Sequence, residues 1–122
     1  MAEQSRFRVV VADDFADMRH LVKVTLERSG RFQVVAEAEN GVEAVDMARE
    51  LQPDVLILDL SMPVLSGMEA LPQIRDASPD SKVVILSGFD RARMESEALA
   101  GGAVGYLEKG LRPSQLVDEI LA

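Results

Sequence analysis

Cysteine is absent from this 122-residue chain, which excludes disulfide frameworks, thiolate metal sites and cysteine nucleophiles together. One histidine is present, too few for a multi-histidine metal centre. No apolar run approaches the roughly 20 residues needed to span a bilayer. The opening residues, Met1-Ala2-Glu3-Gln4-Ser5-Arg6, lack the apolar core of a secretory signal, so a cytoplasmic chain with no membrane partner is expected. Neither Gly-x-Gly-x-x-Gly nor a phosphate-loop motif occurs, which removes the common nucleotide-binding readings. Basic residues are in the minority, 13 against 21 acids, and the net charge of −8 argues against nucleic acid as a partner of this chain. Phosphate contacts need clustered lysine and arginine. Low-complexity segments, linkers and internal repeats are missing too.

What remains is an ordinary globular composition, 48% apolar and 28% charged, in a chain long enough for one self-sufficient domain over residues 1–122. Short apolar runs alternate with segments of helical period. Arg8 to Ala12, Asp54 to Leu58, Lys82 to Leu86 and Val104 to Leu107 read as strands, with Phe32 to Ala36 as a further, edge strand. The first helix is expected from Ala16 to Arg28, with Met18, Leu21, Val22 and Leu26 on its inner face and Gly30 as its stop. Asn40 to Glu43 has capping-box spacing ahead of the second helix, which turns Val45, Ala48 and Leu51 inward before Pro53.

Ser66-x-x-Glu69 opens a third helix carrying Met68, Leu71 and Ile74. Pro72 inside that helix removes a hydrogen bond, so a late start near Leu71 or a kink is expected. The fourth helix runs from Arg91 to Ala100, ended by Gly101-Gly102, and the last from Pro113 to Leu121. The last helix stops at the chain end after about two and a half turns, as in a domain cut from a longer protein. Continuously apolar strands need cover on both faces. The expectation is an α/β fold, a three-layer α/β/α sandwich around a parallel sheet.

The chemistry lies where the strands stop. Asp13-Asp14 ends the first run, Asp59 the third and Ser87 the fourth, while Glu108-Lys109 follows the fifth. In an open α/β sheet these carboxyl ends form the ligand crevice. Three carboxylates brought together repel unless a cation sits among them. An oxygen-only ligand set suits Mg²⁺, with Mn²⁺ as a substitute. Three acids, Lys109 and one divalent cation sum to neutrality, a balance that an added phosphoryl group would upset. Lys109 is placed to reach back towards Asp59 as a point charge on phosphate oxygens, and the Ser87 hydroxyl to donate to an oxyanion beside Gly88. Taken singly, Asp13-Asp14 also reads as a helix cap, Ser87-Gly88 as a turn and Tyr106 as a half-buried strand aromatic.

In this order and spacing, Asp13-Asp14, Asp59-Leu60-Ser61-Met62-Pro63-Val64-Leu65-Ser66-Gly67, Ser87-Gly88 and Tyr106-Leu107-Glu108-Lys109 resemble the receiver domain of two-component response regulators, from Arg8 to Leu121. The resemblance implies a flavodoxin-like, doubly wound sheet of five parallel strands in the order 2-1-3-4-5. It implies that Asp59 accepts a phosphoryl group from a histidine kinase or phosphotransfer protein. Asp14 and Asp59 would bind Mg²⁺ directly, Asp13 through water and Ser61 through its carbonyl. Ser87 and Lys109 would hold the phosphoryl oxygens. Movement of Ser87 would accompany inward rotation of Tyr106, remodelling the face of the fourth helix, fifth strand and fifth helix towards an output domain, a protein partner or a phosphorylation-linked homodimer. Such a domain catalyses only its own phosphorylation and dephosphorylation.

Two departures stand out. Gly110 follows Lys109 where receivers usually carry proline, which comes at Pro113. Lys-x-x-x-Pro after Gly-Tyr-Leu is similar to the subgroup that precedes a LuxR-type DNA-binding domain, the NarL-like transcription regulators. The second is Pro72. Ser61 and Phe89 occupy positions that tune water access to the acyl phosphate in the family. An aspartate-nucleophile phosphatase of the haloacid-dehalogenase type would want Asp-x-Asp, but the third position here is Ser61. A pseudo-receiver, folded alike but never phosphorylated, remains the alternative. His20, beside Arg19 on the first helix, is expected to face solvent rather than serve a phosphohistidine relay.

Overall fold

Strand residues alternate between two buried clusters, and that alternation organises the molecule. Val9 and Val11 enter one cluster while Val10 and Ala12 enter the other, and Val55 and Ile57 against Leu56 and Leu58 repeat the division. Successive strand side chains point to opposite faces, so a strand apolar throughout must be covered twice. The structure, a computed structural model, describes residues 6–88, 91–109 and 113–121, with 91–93, 113 and 114 by backbone alone. In chain order the elements are β1 (Phe7–Ala12), α1 (Ala16–Arg28), β2 (Phe32–Ala38), α2 (Gly41–Leu51), β3 (Val55–Leu58), α3 (Gly67–Ala77), β4 (Lys82–Ser87), α4 (Arg91–Ala100), β5 (Gly105–Glu108) and α5 (Pro113–Leu121). The strands are all parallel, in the order β2-β1-β3-β4-β5.

Val22 and Leu26 of α1 and Leu116 of α5 close one face; Ala44, Val45 and Ala48 of α2, Leu71 and Ile74 of α3 and Ala98 of α4 close the other. The expected α/β/α sandwich and strand order are both observed. Each fully buried aliphatic side chain contributes about 1.5–3 kcal/mol, so the paired cores hold the strand ends in register. No described helix is long and apolar enough to cross a membrane.

Local chemistry sets the helix ends. The Asn40 side chain accepts from the Glu43 N–H at 2.9 Å, while the Glu43 carboxylate takes the Glu39 N–H rather than that of the cap residue. Ser66 and Glu69 form the reciprocal capping box expected of them. Gly30, at φ +78°, ends the turn after α1.

Several expectations need correction. α3 begins at Gly67, not near Leu71, and continues through Pro72. Pro72 is exposed, so the carbonyl of Met68 that it leaves without a helical donor can turn to water. Leu21 is 52% exposed instead of lining the core, while Leu51 and Met68 pack half-buried against it. β2 extends two residues further than expected, to Ala38, and β4 one further, to Ser87. β5 lies one residue later than the Val104 to Leu107 expected. His20 is exposed, as anticipated.

Candidate functional site

Register brings the strand-end residues together. Ala12 of β1 pairs with Leu58 of β3, so Asp13 and Asp59 emerge side by side, and the Asp59 N–H donates to the Ala12 carbonyl at 2.9 Å. Ser87 of β4 pairs with Glu108 of β5, and the Lys109 N–H donates to the Ser87 carbonyl at 2.8 Å. The carboxylates of Asp13, Asp14 and Asp59 each offer an oxygen, and these atoms lie within 4.8 Å of one another. A cleft of about 270 Å³ opens above them, lined by Asp14, Asp59, Ser61, Ser87, Gly88 and Lys109. A larger groove between α1 and α5 carries none of this chemistry.

The three acids differ in surroundings. Asp13 and Asp59 are each only 3% exposed, whereas Asp14 is open to solvent. One Asp13 oxygen accepts from the Phe15 N–H at 2.9 Å, and the other meets Lys109 Nζ at 2.9 Å. Asp59 Oδ1 accepts from the Ser61 N–H at 3.3 Å, and Oδ2 lies 3.4 Å from Lys109 Nζ. Lys109 therefore spans both buried acids and sits closer to Asp13, where the sequence pointed to Asp59. The helix-cap reading of Asp13-Asp14 holds only for that Phe15 contact. Phe15 is the cap residue of α1 and makes no side-chain cap bond.

Burial raises the pKa of Asp59, with the Asp13 charge adding to it, and together these outweigh Lys109 and the Ser61 N–H. Burial alone would lower that of Lys109, but the hydrogen bond to Asp13 and the charge of Asp59 overcome it, and the net shift is upward. Three carboxylates against one ammonium leave two negative charges uncompensated. Oxygen donors only, two of them desolvated, fit a hard divalent cation of the Mg²⁺ kind.

Ser87 is fully buried at the cleft floor. Tyr106, 1% exposed, does not line the cleft. It pairs with Ile85 across β4 and β5 and stands on the same sheet face as Ser87. The half-buried reading of this aromatic is replaced by a fully buried one. Phe89 and Gly110 lie outside the described residues.

Two contributors have roles that the sequence pattern did not assign to them. A Cβ on Gly67 would come 2.0 Å from the Asp59 carbonyl oxygen and 2.8 Å from Leu60 Cα, so only glycine lets α3 start against the loop that follows Asp59. Arg19 donates from Nη1 to the Asp13 carbonyl at 2.7 Å and from Nε to Glu37 at 3.1 Å. Its signal was available: an arginine in the first turn of a helix opposes the helix dipole and calls for a specific partner.

The sequence pattern of the response regulator receiver domain matches residues 9–121. The chain is 34% identical over 113 residues to the chemotaxis protein CheY of Thermotoga maritima, covering 93% of each. It is 36% identical to the transcriptional regulatory protein YxjL of Bacillus subtilis, covering 98% of this chain and 55% of that one. Among solved structures, the signal receiver domain of a NarL response regulator from Mycobacterium tuberculosis superposes with a TM-score of 0.91 at 32% identity, over 97% and 95% of the two chains. A LuxR-family response regulator from Aurantimonas superposes with a TM-score of 0.89 at 32% identity, over 96% and 84%. The chain spans about half the length of the transcriptional regulators it matches.

Proposed function

This chain belongs to the response regulator receiver domain family, a family of signalling switches, and from that premise we propose that Asp59 is its phosphoacceptor. The observation that carries this reading is that Asp59 alone of the three acids both lines the cleft and touches Lys109. A carboxylate oxygen of Asp59 attacks the phosphorus of a phosphohistidine on a kinase or phosphotransfer protein. The new P–O bond forms as the P–N bond breaks, and the imidazole leaves with the electron pair and takes up a proton. Such transfers need in-line positioning and charge neutralisation more than covalent help.

Lys109 supplies one positive charge within reach of the phosphoryl oxygens, and the Ser87 hydroxyl lies on the cleft to donate to one of them. Mg²⁺, or Mn²⁺ in its place, would be held by Asp13, Asp14, Asp59 and the Ser61 carbonyl, and when bound supplies charge neutralisation at the transferred group. The added phosphate brings nearly two negative charges and draws Ser87 and Lys109 towards it. Tyr106, on the face it shares with Ser87, carries the change to the surface made by α4, β5 and α5. By analogy with the regulators of which it spans about half, that surface passes the signal to an output module. Later hydrolysis of the acyl phosphate by water resets the domain.

Intact mass after incubation with acetyl phosphate, with and without Mg²⁺, tests the reading on wild type and Asp59→Asn. One phosphoryl group gained only with Mg²⁺, and lost in the variant, is the expected result. Retained Mg²⁺-dependent labelling in Asp59→Asn would refute the assignment. Mg²⁺ binding without labelling by acetyl phosphate or by phosphorylated kinases would favour the pseudo-receiver. Lys109→Ala should keep metal binding and lose the conformational response.

A further inference from the structure

We propose that Arg19 is a positioning residue that aims Asp14 at the cation site, an inference that rests on the site assignment above. The Asp13 carbonyl that accepts from Arg19 belongs to the peptide joining Asp13 to Asp14, so the arginine holds the plane from which Asp14 projects. Asp13 has independent anchors. Its N–H donates to the Ala38 carbonyl at 3.0 Å, and its carboxylate is held by Phe15 N–H and Lys109. Asp14 has none: its exposed carboxylate makes no hydrogen bond or ion pair among the described residues. Its direction is therefore set by its backbone.

The guanidinium is suited to this task. Its side chain is 13% exposed, so its donors need partners, and its fork spans two of them in fixed geometry. Nε is tied to Glu37 on β2, one residue before Ala38, which in turn holds the Asp13 N–H. α1, the end of β2 and the Asp13-Asp14 peptide thereby form one braced unit. Remote partners of this kind orient the groups that meet the cation, and their loss typically costs 10- to 100-fold in metal affinity.

Charge and positioning predict opposite signs here. Arg19 is a cation near a cation site, so if it acted by charge alone, its removal would tighten Mg²⁺ binding. If it aims Asp14, its removal weakens binding. Mg²⁺ affinity by calorimetry, well below the melting temperature, separates the two for wild type, Arg19→Ala, Arg19→Lys, Asp14→Ala and the Arg19→Ala/Asp14→Ala pair. We expect Arg19→Ala to weaken Mg²⁺ binding about 10-fold and Arg19→Lys to weaken it less, since lysine keeps the charge and length but loses the fork. In the Asp14→Ala background, Arg19→Ala should bring no further loss.

Unchanged or tighter binding in both Arg19 variants would overturn the proposal, as would an equal further loss in the Asp14→Ala background. A fall in melting temperature with unaltered affinity would assign Arg19 a structural role only. If wild type binds no Mg²⁺, or Asp14→Ala binds as well as wild type, the site assignment fails and the proposal with it. A normal wild type and a weakened Asp14→Ala make failure at Arg19 a failure of this inference alone.

Discussion

Val64 sits five residues after Asp59 with φ of +70°, in the left-handed region that β-branched residues rarely adopt. The Leu65 N–H donates to the Pro63 carbonyl at 2.7 Å, so the chain turns tightly around this residue. Left-handed backbone costs an L-residue about 1–2 kcal/mol. The side chain is 81% exposed, so it returns almost no burial energy against that cost. A hydrogen bond across two residues at positive φ is the strained classic γ-turn, so Val64→Gly, which carries no Cβ, should stabilise the domain by up to about 1 kcal/mol. Glycine's extra unfolded-state freedom takes back roughly 0.5–1 kcal/mol of the strain relieved. Val64→Ala keeps a Cβ and with it most of the strain.

For a chain of this length, 1 kcal/mol corresponds to a melting shift of about 3–5 °C. Thermal and urea denaturation of the three proteins without Mg²⁺ would measure the order Gly above Ala and wild type. An unchanged or lowered midpoint for Val64→Gly would refute the claim that position 64 stores backbone strain.

Three further outcomes follow from the site. Burial first, and Asp13 second, raise the Asp59 pKa, so the folded chain holds this proton more tightly than the unfolded one. Stability contributed by that group is complete below its ordinary value of 3.8 and is lost as pH rises through the raised value. Metal-free Asp59→Asn should therefore melt above wild type at neutral pH, with the gap closing as pH falls towards 3.8; a constant gap would contradict this. Gly67→Ala should destabilise the fold by at least about 1–3 kcal/mol and weaken Mg²⁺ binding, because the new Cβ meets backbone atoms of residues 59 and 60. Gly88→Ala, with nothing among the described residues within 4 Å of its Cβ, is the tolerated control in the same denaturation series.

Legibility in the sequence followed the physics of each feature. The apolar runs at β1, β3 and β4 were plain because strands covered on both faces must be apolar at every position. Asp13, Asp14, Asp59, Ser87 and Lys109 were plain because a charged or hydroxyl side chain at the end of such a run marks the crevice edge. Leu21 was misplaced because a helical stripe one residue too wide cannot be told from the true inner face by period alone. For α3 a late start or a kink was expected because Pro72 weighed against a regular helix, whereas the Ser66–Glu69 capping box decided the boundary at Gly67.

By itself the sequence determined the alternation of elements, the two-sided sheet and the set of chemical groups at its edge, since these rest on local period and residue type. The tertiary structure alone decided how those groups meet. Lys109 bridges Asp13 more closely than Asp59 because the β1–β3 register sets the acids side by side beneath its ammonium. An arginine in the first turn of a helix calls for a partner, but that the partner is the Asp13 carbonyl, and that Gly67 touches the Asp59 backbone, are set by contacts that no local pattern encodes. Position along a chain fixes what a side chain can do; only packing of distant segments brings it within 3 Å of a partner.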